Sequence, residues 1–208
     1  MEIFTSRWGQ RCGGVTLVEM MVVVTIVAIF AAIGVPALSA FIARNRLVTQ
    51  TNDMLAAIQV ARSEATRLNT SVTFCRVASL TATTCQGGAG NDDWRFWAVL
   101  APTSTEPVLR RGQITSPNIS VRVSSNLASR VSGVSTNNAI SFGADSLARQ
   151  TDGSTLMAGY MRICSSDSSL SSNFKLINIS GGGRPYVDNA NSTGAVTCTN
   201  GVPDNING

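Results

Sequence analysis

Residues 13–43 read GGVTLVEMMVVVTIVAIFAAIGVPALSAFIA, and this stretch decides the architecture of the chain. From Met20 to Ala43 it carries no charged side chain. These 24 or so residues are enough to cross a bilayer as a helix of about 36 Å. The carboxylate of Glu19 stands at the start of the apolar run, where a charge is costly unless it reaches the interface or meets a partner. The stretch therefore predicts a membrane-spanning helix with one unusual carboxylate.

The residues before this run are arranged unlike an ordinary secretory signal. Residues 1–14 read MEIFTSRWGQRCGG, with two arginines and a closing pair of glycines. In a secretory signal the small residues follow the apolar core, so cleavage removes that core. A cut after Gly14 would instead leave the core attached and create an amine at Val15, a natural cation for Glu19. The arginines before the core and the polar chain after it predict a cytoplasmic N-terminus and an external C-terminus.

Composition restricts the function classes. The formal net charge of +4 is too small to imply nucleic acid by itself. The 208 residues include no histidine, which removes the commonest general base and the commonest metal ligand. Asp92 and Asp93 look like a fragment of a calcium loop, but the other EF-hand ligands are missing. We therefore expect no enzymatic activity, no cofactor and no metal.

The cysteines point to an oxidising compartment. The chain has five: Cys12, Cys75, Cys85, Cys164 and Cys198. The first lies in the segment expected to be removed, so the mature chain keeps an even set that suits two disulfides. Zinc is the alternative, but the spacings contain no C-x2-C pair and no histidine is available. Disulfides are therefore favoured over a metal.

The helix is expected to continue beyond the membrane segment. After Arg44, apolar residues recur at steps of three, four and seven, which is typical of one face of an amphipathic helix. They are Leu47, Val48, Met54, Leu55, Ile58, Ala61, Ala65 and Leu68. Pro36 is expected to kink the helix or to unwind it locally. Asn69 and Thr70 are expected to end it.

Beyond Val72 the pattern changes to short β-branched and aromatic runs between turn residues. The predicted strands are Val72–Val77, Arg95–Ala101, Val108–Arg111, Ile119–Ser124, Ala139–Phe142, Tyr160–Cys164, Phe174–Ile179 and Pro185–Val187. The predicted fold class is α+β, with a long N-terminal helix packed on an antiparallel β head. The predicted segments are a leader at 1–14, a membrane and assembly helix at 15–43, an amphipathic helix at 44–70, the head at 71–200 and a flexible tail at 201–208.

The N-terminal motif resembles the type IV pilin signature, in which a leader peptidase cuts after glycine and glutamate is fifth in the mature chain. Gly14, Thr16, Leu17 and Glu19 match, and Val15 departs from the usual phenylalanine. Pro36 also falls where pilin helices commonly carry a kink. The resemblance implies the type IV pilin fold, removal of residues 1–14 by prepilin peptidase, and methylation of the Val15 amine.

The resemblance also implies how the subunit is used. It would wait in the bacterial inner membrane as a single-pass protein with a periplasmic head, and then join a filament through its apolar helix. Glu19 would pair with the N-terminal amine of a neighbouring subunit. Such a carboxylate fixes the register of assembly, because a misregistered subunit leaves a buried charge unpaired.

Residues 59–76, QVARSEATRLNTSVTFCR, resemble the GspH/FimT family of minor pilins and pseudopilins. Looser head matches follow in the family's order: Asp93-Trp94, Trp97, Ile140–Gly143, Ile163-Cys164 and Ile177–Arg184. Two alternatives stay open. One is a minor pilin of a type IVa pilus, of the FimU/FimT kind, that helps to initiate assembly near the tip. The other is the H pseudopilin in the tip complex of a type II secretion system. The implied partners are other minor pilins and the major pilin, or pseudopilins, with prepilin peptidase and the inner-membrane assembly platform.

The resemblance also bears on the cysteines. A cysteine late in the head that is bonded to one near the C-terminus resembles FimU-like proteins and favours the pilus. The implied pairs are Cys75 with Cys85 and Cys164 with Cys198. Each would stabilise the head by about 2–4 kcal/mol, mainly by restricting the unfolded chain.

DNA binding is a third alternative, because some FimT-type proteins take up DNA through a GRxR motif. This chain has Gly183-Arg184-Pro185-Tyr186, so Tyr186 replaces the second arginine. Arg184 and Tyr186 would still offer one phosphate contact and one stacking face. The favoured interpretation is a glycine-rich turn that leads into a terminal strand, with Arg184 in solvent.

Overall fold

The computed structural model describes residues 14–86, 94–102, 107–124, 127, 139–149, 156–180, 182, 184–189, 193–199 and 202. The chain divides into two compact units, Met1–Ser39 and Ala40–Gly208. One helix, α1 (Leu17–Leu68), contributes to both units. The strands are β1 (Val72–Arg76), β2 (Phe96–Leu100), β3 (Val108–Gln113), β4 (Ile119–Val123), β5 (Ala139–Phe142), β6 (Ala148–Arg149), β7 (Gly159–Ser165), β8 (Phe174–Ile179) and β9 (Pro185–Asp188).

Helix α1 ends in a Schellman motif at the residues that the sequence indicates. Asn69 adopts a left-handed conformation with φ of 49°. The Asn69 N–H donates to the carbonyl of Thr66 at 3.3 Å, and the Thr70 N–H donates to that of Ala65 at 3.2 Å. These two bonds satisfy carbonyls that the helix end would otherwise leave without a partner. The turn directs the chain straight into β1.

The second half of α1 buries a stripe of small and apolar side chains. The buried residues of the helix are Ala43, Leu47, Gln50, Thr51, Met54, Ala57, Ile58, Ala61 and Ala65. Val48, which the sequence analysis assigns to this face, is exposed, so that assignment is wrong. Each residue turns a helix by about 100°, which carries Val48 away from the face that Leu47 occupies. The hydroxyl of the buried Thr51 is hydrogen-bonded, because it donates to the Leu47 carbonyl at 2.8 Å.

The head contains two antiparallel sheets. The five-stranded sheet has the order β3-β2-β1-β5-β6, and the four-stranded sheet has the order β4-β7-β8-β9. Each of the eight predicted strands has a counterpart, while the two-residue β6 lies outside the prediction. The core joins the helix stripe to both sheets through residues such as Met54, Phe74 and Ile163. The α+β fold predicted from the sequence is therefore the observed one.

An aromatic cluster fills the core beside the five-stranded sheet. The ring of Phe74 lies 5.3 Å from that of Trp94 and 5.6 Å from that of Trp97, measured between centroids. Gly112 stands opposite Trp97 in the β2–β3 ladder. A Cβ atom at position 112 would overlap the indole of Trp97. The glycine is therefore what allows the large ring to lie flat against the neighbouring strand.

The C-terminal end is more ordered than the sequence predicts. Val202 is buried and forms a parallel bridge with Ser124, at the end of β4. The prediction of a flexible tail from Gly201 is therefore wrong at Val202, because its side chain enters an apolar cluster with Cys164, Phe174 and Leu176. The rest of the predicted tail lies outside the described residues.

Candidate assembly site

The N-terminal end of α1 is capped by Thr16, the residue that precedes it. The Glu19 N–H donates to Thr16 Oγ1 at 3.2 Å, and the Met20 N–H donates to the Thr16 carbonyl at 3.2 Å. Thr16 is thus the N-cap, and Glu19 stands at the third helical position of a Thr-x-x-Glu capping spacing. Thr16 also belongs to the residues that resemble the pilin signature. The spacing itself would have revealed its second role, which is to start the helix.

Gly14 and Val15 lie exposed before the helix begins. A Cβ atom added at Gly14 would meet nothing within 4 Å. No packing in the described part of the chain therefore requires a glycine at position 14. Residues 1–13, which form the rest of the predicted leader, lie outside the described residues.

The first half of α1 exposes its apolar side chains all round. Among the described residues, α1 is the one helix long and apolar enough to cross a membrane, and none of its apolar window is buried. Its large exposed side chains include Leu17, Met21, Ile26, Phe30, Ile33 and Leu38. Glu19 is exposed as well, and no ion pair between described residues includes it. The carboxylate therefore lies within a large apolar surface, and no described cation forms an ion pair with it.

Helix α1 runs through Pro36 without interruption. The hydroxyl of Ser39 donates to the Pro36 carbonyl at 2.8 Å, and that of Thr25 donates to the Met21 carbonyl at 2.7 Å. Such bonds let polar side chains share backbone acceptors inside an apolar segment. Local unwinding at Pro36 is absent from the described helix, and the kink stays a prediction.

Two disulfides tie the head together in the predicted pairs. Cys75 of β1 is bonded to Cys85, with Cα atoms 5.7 Å apart, and Cys164 of β7 is bonded to Cys198, with Cα atoms 5.6 Å apart. The first closes a loop onto β1, where the Gln86 N–H donates to the Arg76 carbonyl at 2.7 Å. The second fixes a segment near the C-terminus to the four-stranded sheet.

That segment, residues 193–199 and 202, forms a C-terminal strap. The Asn173 side chain holds it at both of its polar atoms: Nδ2 donates to the Val196 carbonyl and Oδ1 accepts from the Val196 N–H, each at 2.9 Å. The strap packs on the sheet face that faces away from α1, where it joins an apolar cluster of its own. Arg162 on β7 is buried there, and both this burial and the cross-strand neighbour Arg122 lower its pKa from the ordinary value. The strap is therefore part of the folded head.

Arg184 and Tyr186 lie at the edge of the same sheet. Arg184 is exposed and precedes β9, while Tyr186 projects from β9 with 47% of its surface exposed. The Asn178 Nδ2 group donates to the Tyr186 hydroxyl at 2.8 Å. The terminal strand and the exposed Arg184 agree with the favoured interpretation, while Gly181 and Gly183 of the predicted turn lie outside the described residues. A DNA contact by these two residues stays a prediction.

Three further arginines of the head are divided between its two sheets. Arg110 and Arg111 lie on β3 of one sheet, and Arg122 lies on β4 of the other. Arg130 and the pair Asp92-Asp93 lie outside the described residues. Within the described ranges, no group of three or more histidine, cysteine, aspartate or glutamate side chains is placed to hold a metal ion.

Comparison with known families gives two matches. Residues 50–183 match the family described as type II transport protein GspH, and residues 9–35 match the prokaryotic N-terminal methylation motif. No curated protein matches the chain. Two crystal forms of the type IV minor pilin FimU from Pseudomonas aeruginosa strain PAO1 are similar in structure. Their identities are 19% and 18% and their TM-scores 0.49 and 0.46, with 76% and 73% of this chain and 98% and 99% of FimU covered.

Proposed function

The chain belongs to the family described as type II transport protein GspH, and from that premise we propose that it is a minor pilin of a type IVa pilus. Its N-terminal methylation motif makes it a type IV pilin-like protein that is processed by prepilin peptidase. Members of this family assemble with other pilins or pseudopilins. The apolar helix fits a single-pass inner-membrane subunit. We propose further that the filament is a type IVa pilus, that the subunit lies near its tip and that it helps to initiate assembly.

One observation carries the proposal of an assembly role: apolar side chains are exposed in the first half of α1 but form a buried stripe in the second half. The second half buries a stripe against the head, and the first half leaves its apolar side chains exposed. An apolar surface of this extent needs a partner. Lipid supplies one before assembly, and the corresponding helices of sister subunits supply it afterwards.

Glu19 gives the assembled state its register. Cleavage after Gly14 would create an amine at Val15, four residues from the carboxylate, and methylation would leave that amine basic. In a helical array the amine of one subunit can meet the Glu19 carboxylate of the next. A subunit out of register would leave a carboxylate unpaired in an apolar environment, which is strongly disfavoured. Gly14 serves the peptidase in this proposal, which agrees with its lack of any packing role in the described chain.

The disulfide between Cys164 and Cys198 supports the pilus over secretion, because such a late bond resembles FimU-like minor pilins. The alternative is an H-type pseudopilin in the tip complex of a type II secretion system, and the family's description as a transport protein favours it. Either way, the N-terminus would be cytoplasmic and the head periplasmic before assembly. The partners would be minor and major pilins, or pseudopilins, and the membrane assembly platform. We propose no catalytic role.

A deletion of the gene in its native host separates the two candidates. The pilus proposal expects few or no surface pili and unchanged export of secretion-system substrates. Complementation with the full chain should restore the pili, and the mature protein should be found in sheared pili. Normal piliation together with a loss of substrate export would overturn the pilus proposal in favour of the pseudopilin.

A further inference from the structure

The head has an open cleft beside the residues at which α1 leaves the predicted membrane segment. The cleft has a volume of about 540 Å³ and lies wholly within the unit Ala40–Gly208. Phe41, Val48 and Leu170 are among its apolar lining residues, and Arg44 and Lys175 are its cationic ones. A volume of this size is typical of small-ligand sites. We call it the headgroup cleft.

The headgroup cleft is cationic. No aspartate or glutamate is among the described residues that line it. The Lys175 ammonium donates to Asn189 Oδ1 at 3.4 Å, which leaves two of its three protons for another acceptor. No ion pair between described residues includes Arg44. Ser169, Ser171 and Ser172, from the loop before β8, also line the cleft.

The carboxylate of Asp167, in the loop before β8, is already engaged. Asp167 accepts hydrogen bonds from the Ser169 hydroxyl at 2.7 Å and the Ser169 N–H at 3.0 Å. These bonds, with a smaller contribution from the charge of Arg46, hold the pKa of Asp167 below its ordinary value. The carboxylate therefore stays ionised but is turned toward its own loop. No ion pair between described residues joins it to Arg44 or Lys175.

A second cleft of the head provides a contrast. It is slightly larger, about 630 Å³, and is lined by Arg46 together with Asp53. Its cation and its carboxylate offset each other, so it offers no net attraction to an anion. The two clefts are lined by different residues of the same stretch of α1, and their linings differ in charge.

The position of the headgroup cleft indicates what its anion is. Ala40 and Phe41 are among the last residues of the predicted membrane segment, and Arg44 is the first charge after it. At that level the abundant anions are the phosphates of lipid headgroups, and basic side chains near a membrane surface attract them. The apolar lining fits the glycerol and upper acyl carbons of the same molecule. A free inorganic anion would leave that lining without a partner.

We propose that the headgroup cleft binds the phosphate of an anionic phospholipid, through Arg44 and Lys175, while the subunit waits in the membrane. The inference rests on the membrane-anchored state in the proposed function. Lipid bound there would hold the base of the head at the bilayer surface. Release of that lipid would accompany the transfer of the subunit into a filament.

The test uses the full-length chain in a neutral detergent, with native mass spectrometry as the readout of bound lipid. The probes are dioctanoyl phosphatidylglycerol, dioctanoyl phosphatidylcholine and inorganic phosphate. We expect phosphatidylglycerol to bind about tenfold more tightly than phosphatidylcholine, and Arg44→Gln combined with Lys175→Gln to remove that preference. The matched control is Arg46→Gln combined with Arg184→Gln, which removes the same charge elsewhere and should keep the preference. Circular dichroism checks that both variants are folded.

Three results would overturn the proposal: equal binding of the two lipids, an equal loss in the control variant, or saturation by inorganic phosphate at the same concentration as by phosphatidylglycerol. None of them depends on filament assembly. A chain that binds lipid as expected but never enters a filament would contradict the proposed function alone. A chain that enters filaments but shows no lipid preference would contradict this inference alone.

Discussion

The two halves of α1 are one continuous helix in opposite situations. In the first half Phe30 and Ile33 are 72% and 71% exposed, whereas in the second half Leu47 and Met54 are 1% and 0% exposed. The second half finds its partner within the chain, because the sheets of the head cover one stripe of it. The first half finds none among the described residues. The same type of side chain is therefore a core residue in one half and an interface residue in the other.

The difference follows from patterning within a single element. When the apolar residues of a helix form one stripe, packing that stripe against one layer of a folded domain buries them. A helix that is apolar all round must be surrounded, which requires lipid or other helices. The glutamates of the two halves also differ in whether they have an ion-pair partner. Glu64 pairs with Arg67 at 2.6 Å on the polar side of the second half, and Glu19 has no such pair among the described residues.

The largest effect is expected from the carboxylate of the first half. Glu19→Ala should still insert and be cleaved, but its incorporation into filaments should fall more than about tenfold, since the amine of the next subunit loses its buried partner. Glu64→Ala is the matched control in the second half and should assemble normally. Quantitative immunoblots of sheared filaments and of membranes measure both. Normal incorporation of the Glu19→Ala chain would contradict the register role.

Methionine truncations compare the two halves directly. Met54→Ala should lower the free energy of unfolding of the head by about 2–5 kcal/mol, because it empties a fully buried site. Met21→Ala removes an exposed side chain and should leave that energy unchanged. Denaturant unfolding of the full chain in detergent, followed by tryptophan fluorescence that reports on the buried Trp94 and Trp97, measures both. Equal losses in the two variants would mean that the first half packs on the head after all.

The disulfides are expected to act on the head alone. Replacing Cys164 and Cys198 by serine opens a loop of 34 residues and should cost about 4 kcal/mol, while replacing Cys75 and Cys85 opens one of 10 residues and should cost about 3 kcal/mol. Neither pair should alter membrane insertion or leader cleavage. Thermal unfolding and limited proteolysis measure the ranking. A larger loss from the shorter loop would show that strap contacts matter less than local closure at β1.

The smallest effect concerns an exposed pair in the head. Asp145 accepts a hydrogen bond from the Arg149 side chain at 3.2 Å and another from the Leu147 N–H at 3.1 Å, and these bonds lower its pKa. A lowered folded-state pKa stabilises the head above the unfolded value of about 3.9, and that stability is lost as the pH falls through the folded value. Asp145→Asn should therefore flatten the fall of the Tm as the pH drops below about 3.9. An unchanged slope would mean that solvent screens the pair completely.

Much of the fold could be predicted because each element carries a strong local signal. Short runs rich in apolar residues, bounded by turn residues, predicted the position of β5 and β8 to the residue, and Asn69 marked the helix end. The failures have physical reasons. The two-residue β6 is too short to show any periodicity. Val48 lies about 100° around the helix from Leu47 and so outside the buried stripe, whereas the polar Thr51 lies within it. Val202 is held by a tertiary contact that no local pattern encodes.

The sequence predicted the motif residues of the candidate assembly site but neither its helix cap nor the headgroup cleft. Gly14, Val15 and Glu19 came from a motif, since their expected partners belong to other molecules. The cap formed by Thr16 was available from the spacing to Glu19 and was missed. The headgroup cleft could not have been predicted, because Arg44 and Lys175 are brought to one cleft only by the packing of the loop before β8 on the helix.

The central claim is that sister subunits replace lipid around the first half of α1. The most direct measurement places a photoreactive phenylalanine analogue at position 30 of the full chain and analyses its crosslinks in membranes and in sheared filaments. The account predicts lipid adducts in membranes and crosslinks to the apolar helices of other pilins in filaments. Lipid adducts alone in both fractions, or a complete absence of the chain from filaments, would contradict it.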